Sequence, residues 1–203
     1  MSETETNTQP RTVFRRATAQ DALDLARTTF LADERVDMQT LAAELGIARA
    51  TLHRWVKTRE NLLDRVLGDL AREFFELSRT PVHGQPDEVI AEVIKVIVTN
   101  TAGFQPIRGF VQREPELALR LLVGERSSVR RGLLEELQQL IAEILPDEAE
   151  QLRGYAEAMV PVGLALAWPT LVAGDEPSGE RIATVSRALL AAARAGQLPA
   201  GAF

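Results

Sequence analysis

The sequence predicts an all-α protein, and three observations carry that prediction. Apolar residues recur at helical spacing along most of the 203 residues. Proline and glycine clusters separate these periodic segments, as at "RTPVHGQPDE" (79–88) and "GDEPSG". The β-branched run "VIKVIVT" at 93–99 has helical flanks and no partner strand or hairpin turn, so a buried helix is expected there.

The elements follow in order. Thr18 is a plausible N-cap for a first helix, with Asp21 in its first turn and Ala22, Leu25, Ala26, Thr29 and Phe30 on one stripe. Asp37 is suited to cap a second helix carrying Leu41, Ala42 and Leu45. Gly46 supplies the backbone freedom of a tight break. A short helix then covers Arg49 to Val56, and a long one starts at Thr58 with Leu62, Leu63, Val66, Leu67, Leu70, Phe74 and Leu77. Beyond the 79–88 boundary come a helix after Pro86, two shorter ones over 105–113 and 115–123, and an amphipathic helix through "SSVRRGLLEELQQLIAEIL". The last two are expected at 147–173 and 178–195. The whole amounts to about nine helices. Residues 1–17 read as a disordered basic arm, 18–80 as a three-helix module with its connecting helix, and 81–203 as a second helical domain.

Composition narrows function. Hydrophobic residues make up 45% and charged residues 26%, which fits an ordinary globular protein with a sizeable core. Without cysteine there is no disulfide, thiolate metal site or cysteine nucleophile. His53 and His83 are the two histidines, so no histidine metal cluster is expected. Ser127, Ser128, Ser178 and Ser186 have no nearby histidine to activate them, and the acid pairs Glu135-Glu136 and Glu148–Glu150 fall on polar faces. No catalytic set and no cofactor are expected. "MSETETNTQP" lacks the basic start and apolar run of a secretory signal. The apolar run 159–173 is short for a bilayer and holds Pro161 and Pro169, so it is expected to be a core helix and the protein cytoplasmic.

The net charge of −6 argues against nonspecific coating of nucleic acid. Yet Arg49, Arg54, Lys57 and Arg59 fall in a stretch with no acid from Leu45 to Arg59, and Arg11, Arg15 and Arg16 in another from Thr6 to Gln20. Local cations on an acidic chain suggest one defined anionic contact. Leu41, Leu45, Ile47, Leu52, Trp55 and Val56 would dock two short helices around Gly46. That leaves Ala48, Arg49, Ala50, Thr51, His53, Arg54 and Lys57 facing outward, with small residues and the positive dipole end at the helix start. This is the design of a helix-turn-helix, whose second helix enters the DNA major groove. Acids there would face phosphate.

"GIARATLHRWVKTRENLL" resembles the signature of tetracycline-repressor-type (TetR-family) transcription regulators at Gly46, Thr51, Leu52, His53, Trp55, Val56, Thr58, Arg59 and Glu60. The similarity covers about residues 18–75, and His53 stands where the family usually has tyrosine. The resemblance implies that Arg49, Ala50, Thr51, His53 and Arg54 face base edges or nearby phosphates and that Lys57, Thr58 and Arg59 grip the backbone. Arg54 is the first candidate for reading guanine, and Arg11, Arg15 and Arg16 are candidates for a groove-tracking arm. "ATLHRWVKTRENLL" and "LVAGDEPS" more loosely resemble the QsdR-like actinobacterial branch, which implies a lactone-type effector. The chain departs from that branch at Pro161 and Leu164, where the branch has charged residues, so the effector class stays open.

The family further implies a C-terminal effector-binding and dimerisation domain. Phe74, Ile97, Phe104, Phe110, Tyr155, Met159 and Trp168 are the pocket candidates, and their apolarity favours an apolar or amphipathic ligand. Gly163 on the penultimate helix and Ile182, Val185 and Leu189 on the last are the candidates for a two-fold homodimer interface. The expected function is a repressor released from a palindromic double-stranded DNA operator by a small molecule. The rivals are an activator or ligand-independent regulator and, in another class, an all-α protein-interaction module.

Overall fold

The computed structural model describes residues 16–79, 84–175 and 177–201. They form α1 (Ala19–Leu31), α2 (Met38–Glu44), α3 (Arg49–Val56), α4 (Arg59–Arg79), α5 (Pro86–Gly103), α6 (Gln105–Arg113), α7 (Pro115–Ala118), α8 (Ser128–Ile144), α9 (Arg153–Ala173) and α10 (Gly179–Arg194). α7 runs into a π-helical turn over Leu119–Val123. Among the described residues there is no strand, and 93–99 lies within α5. His83 and all of the expected basic arm before Arg16 lie outside the described residues.

Local chemistry sets the helix ends. Thr18 and Asp21 form a capping box, with Thr18 N–H donating to Asp21 Oδ2 at 2.7 Å and Asp21 N–H to Thr18 Oγ1 at 3.3 Å. Asp37 accepts from Thr40 N–H at 3.0 Å and Gln39 N–H at 2.9 Å, and these bonds hold its carboxyl below the usual range. α2 closes in a Schellman motif. Gly46 N–H donates to Ala43 O, Ile47 N–H donates to Ala42 O, and Gly46 sits at φ +62°, where a Cβ is penalised. Thr58 Oγ1 accepts Asn61 N–H at 3.1 Å and starts α4.

α1 to α4 wrap a core of Ala22, Ala26, Phe30, Leu41, Leu52, Val56, Leu62 and Leu63, each 4% exposed or less. That core does not close on itself. It runs on through Ile107, Phe110 and Val111 of α6 to Leu121, Leu122 and Val129. Phe30 meets Phe110 edge-on at 5.7 Å. A second core gathers α5, α8, α9 and α10 around Tyr155, Met159, Ile90 and Ile182.

Polar ties cross the same seam. Asp33, held at φ +59°, accepts from Arg113 Nη2 at 2.7 Å, and that pairing lowers its pKa. Gly109 makes the approach possible, since a Cβ there would stand 2.2 Å from Asp33 Oδ1. The Asp64 carboxylate of α4 accepts Ser128 N–H at 2.9 Å and Ser128 Oγ–H at 2.5 Å at the start of α8.

One boundary and one buried face differ from the sequence reading. α9 begins at Arg153, and 147–152 form turns in which the Glu148 carboxylate accepts from Arg194 Nε of α10 at 2.6 Å, an arginine that also pairs with Asp87. Leu77 is 68% exposed. The buried face of α4 continues from Leu70 and Ala71 to Phe75 and Ser78, one position off the stripe expected from Phe74 and Leu77.

Candidate nucleic-acid interface and apolar cavity

α3 is seated by Leu52 and Val56, which are 0% and 3% exposed. Trp55 packs half-buried against the same core. The opposite face presents Arg49, Ala50, His53 and Arg54 to solvent, with Lys57 at its end and Thr51 half-buried. Among the described residues, Arg49, Arg54 and Lys57 have no ion pair or side-chain hydrogen bond. Many other arginines are engaged, Arg27 with Glu73, Arg72 with Glu135, Arg113 with Asp33, Arg187 with Glu88 and Arg194 with Asp87 and Glu148. Arg65, Arg126, Arg130 and Arg181 are also without a side-chain partner among the described residues, so what marks α3 is the grouping of three exposed free cations in a stretch with no acid from Leu45 to Arg59.

Arg59 is the exception in the expected set. Its Nε donates to Val36 O at 2.5 Å, and its fork holds both oxygens of Glu114 at 2.7 and 2.6 Å. This pairing lowers the Glu114 pKa. With its side chain 20% exposed, Arg59 ties α4 to the α6–α7 junction, so the phosphate-gripping role expected for it is corrected. Sequence alone missed this because Glu114 lies 55 residues away. Thr58 is exposed, with its hydroxyl oxygen spent on the α4 cap.

Lys57 is backbone-strained. It sits at φ +64° and ψ −74°, and Thr58 N–H donates to Val56 O across it at 2.9 Å, which makes a γ-turn. Such a conformation costs a side-chain-bearing residue about 1–3 kcal/mol, more than the entropy penalty of glycine, roughly 0.5–1 kcal/mol. Lys57→Gly is expected to stabilise the fold by about 1 kcal/mol, a rise of about 2–4 °C in Tm, measured by thermal unfolding. A lowered Tm would overturn the strain assignment.

Hydroxyl bonding adds a second pointer. Thr28, Thr29, Thr99 and Thr184 each return their hydroxyl to the carbonyl four residues back. Among the described residues, the hydroxyls without a hydrogen-bond partner are those of Thr51 on α3 and Thr101 on α5.

Thr101 lies in the wall of an apolar cavity of about 110 Å³ between α4, α5, α8, α9 and the π-helical turn. No ionisable side chain lines it. Of the expected pocket residues, Phe74, Ile97, Met159 and Trp168 line it, while Phe104, Phe110 and Tyr155 do not. Phe104 sits behind the wall, edge-on to Phe74 at 5.0 Å. Phe110 is spent on Phe30 at the seam. Tyr155 is fully buried, bonded to Ser186 Oγ at 2.7 Å, and burial pushes its phenol pKa up. The sequence reading found Ile97 on α5 but missed its neighbours on the same face, Ile94, Val98 and Thr101.

The dimer candidates divide. Gly163 lines the cavity and Ile182 is 2% exposed in the core, so neither faces outward and both are corrected. α10 is apolar on two flanks. The Ile182–Ser186–Leu190–Ala193 flank faces inward, while Val185 and Leu189 stay half-buried beside exposed Ala188. On α9, Ala165, Pro169 and Val172 are exposed, Val172 at 50%. α9 is long and apolar enough to cross a membrane, and 39% of its most apolar window is buried. Among the described residues, no group of three or more His, Cys, Asp or Glu side chains is placed to hold a metal ion.

Residues 86–191, just over half of the chain, match the family described as the tetracyclin repressor-like C-terminal domain. No curated protein matches the sequence significantly. The fold is similar to that of the R. erythropolis transcriptional repressor QsdR from the TetR family, with a TM-score of 0.78 at 24% identity, covering 85% of this chain and 94% of that one. It is also similar to the TetR-family repressor AlkX from Dietzia sp., implicated in biodegradation of n-alkanes, with a TM-score of 0.63 at 20% identity, covering 89% and 98%.

Proposed function

The chain belongs to the tetracycline-repressor family of DNA-binding transcription regulators, and on that premise we propose that it is a homodimeric repressor released from a palindromic operator by a small apolar or amphipathic molecule. The observation that carries this reading is the cluster of exposed, unpaired cations on and just after α3, Arg49, Arg54 and Lys57, in a stretch with no acid from Leu45 to Arg59. A cation with no internal partner is available to phosphate or to a guanine edge without breaking an existing bond. Arg54 reads a base, and Thr51 supplies its free hydroxyl. His53 and Lys57 hold phosphate, Ala50 lets the helix approach closely, and Thr58 helps present the start of α4 to the backbone.

A second copy covers α9 and α10. The uncharged outer face of α9 at Ala165, Pro169 and Val172 adjoins a helix that leaves Val185 and Leu189 half-covered. Two-fold pairing there buries both strips and sets the two α3 helices about one DNA turn apart, roughly 34–36 Å. A partner helix, not lipid, is the cover proposed for α9, in keeping with action on DNA in the cytoplasm. The cavity accepts the effector. A lactone-type molecule, the class implied by the QsdR-like resemblance, is uncharged and compatible with a lining that offers no counter-ion.

The test is an anisotropy titration with DNA from upstream of the gene at several salt concentrations. Binding should weaken steeply as salt rises, each neutralised phosphate contributing about −0.9 to the log–log slope. A flat salt dependence, or no binding, overturns the reading. An activator would bind the same DNA, and a transcription assay separates the two.

A further inference from the structure

We propose that the cavity selects an uncharged molecule with a short hydrocarbon chain and one carbonyl oxygen, and that Thr101 is the hydrogen-bond donor that distinguishes it from a plain alkane. The proposal rests on the reading of this cavity as the effector site and names what that site takes.

The charge argument comes first. The lining has no Lys, Arg, His, Asp or Glu. A carboxylate or phosphate carried into such a wall would lose its hydration with no counter-ion in return, which disfavours it against an uncharged molecule. The size argument follows. An engineered apolar cavity of about 150 Å³ admits benzene, so the 110 Å³ present here suits a molecule of similar size. Leu122 and Val123, on the π-helical turn, form part of the wall, and such turns are frequent at functional sites.

The polarity argument decides the class. Two lining side chains carry a polar hydrogen, Thr101 and Trp168, and neither makes a side-chain hydrogen bond among the described residues. An alkane would leave both unused. Thr99, two residues earlier on α5, returns its hydroxyl to Lys95 O at 2.9 Å, so the helix does not prevent that bond. The free Thr101 hydroxyl can donate, which suits a carbonyl oxygen that accepts and brings no hydrogen of its own. An alcohol would bring an extra proton that Thr101 Oγ1 alone could take.

The experiment is calorimetric titration of the DNA-free protein with 2-hexanone, n-hexane and hexanoate at pH 8, for the wild type and Thr101→Val. Valine keeps the shape and removes the hydroxyl, and n-hexane binding reports whether the variant's cavity is intact. The expected result is that 2-hexanone binds more tightly than n-hexane, that hexanoate does not bind, and that Thr101→Val weakens 2-hexanone about 2–13-fold while leaving n-hexane unchanged. Equal binding of hexanoate, binding of none of the three, or an unchanged ketone-to-alkane ratio in the variant overturns the proposal. Because binding is read without DNA, a failure of operator recognition leaves these outcomes unaffected, and the two readings fail separately.

Discussion

Alanine in place of Arg54 is expected to weaken operator binding by about 2–6 kcal/mol per dimer, since each base contact contributes about 1–3 kcal/mol and the symmetry supplies two. Discrimination should relax at one base pair of each half-site and stay intact elsewhere. Thermal stability should not move, because the Arg54 side chain is exposed and has no internal partner to lose. Anisotropy titrations against a set of operator variants read both effects. A unchanged base preference would remove Arg54 from direct readout and leave it, at most, a phosphate contact. A comparable change at Arg59 would act differently: it breaks a half-buried fork on Glu114 and should show as lost stability before lost specificity.

Val172→Asp is expected to convert the protein from dimer to monomer. Val172 is 50% exposed on a face of α9 that carries no charge. In an isologous interface the substitution appears twice, near its own symmetry mate, so two like charges are stripped of water in one apolar contact. Sedimentation should give the monomer mass at concentrations where the wild type is paired. Operator affinity should fall by about 10²–10⁴-fold, the avidity lost when two linked contacts become one. The fold should survive, because Val172 is not part of either core. A variant that stays dimeric would move the interface off this face of α9.

The fold was legible where the signal is local. Caps at Thr18 and Asp37, the glycine turn at Gly46 and the short α3 all follow from residues within one or two turns of each other. The outward set on α3 was legible for the same reason, since a helix only eight residues long has one seat, made by Leu52 and Val56. What stayed hidden depends on distant partners. Arg59 reads as a DNA contact until Glu114 is placed beside it. Ile182 and Val185 are equally apolar, and the choice between core and surface is made by α5, which takes the Ile182 flank. Phe110 and Tyr155 look like pocket residues, but one serves Phe30 and the other Ser186. Thr101 gave no sequence signal, because a helical threonine ordinarily satisfies itself.

The continuous packing from Phe30 and Leu62 into Ile107, Phe110 and Val111 bears on where this chain could be cut. Residues 18–80 form a module by motif, but excised alone they would carry a raw hydrophobic flank where α6 had been, and a carboxylate at Asp33 stripped of its arginine. The reading head and the body share one foundation, so a truncated head is not a smaller version of the same protein but an unfinished one.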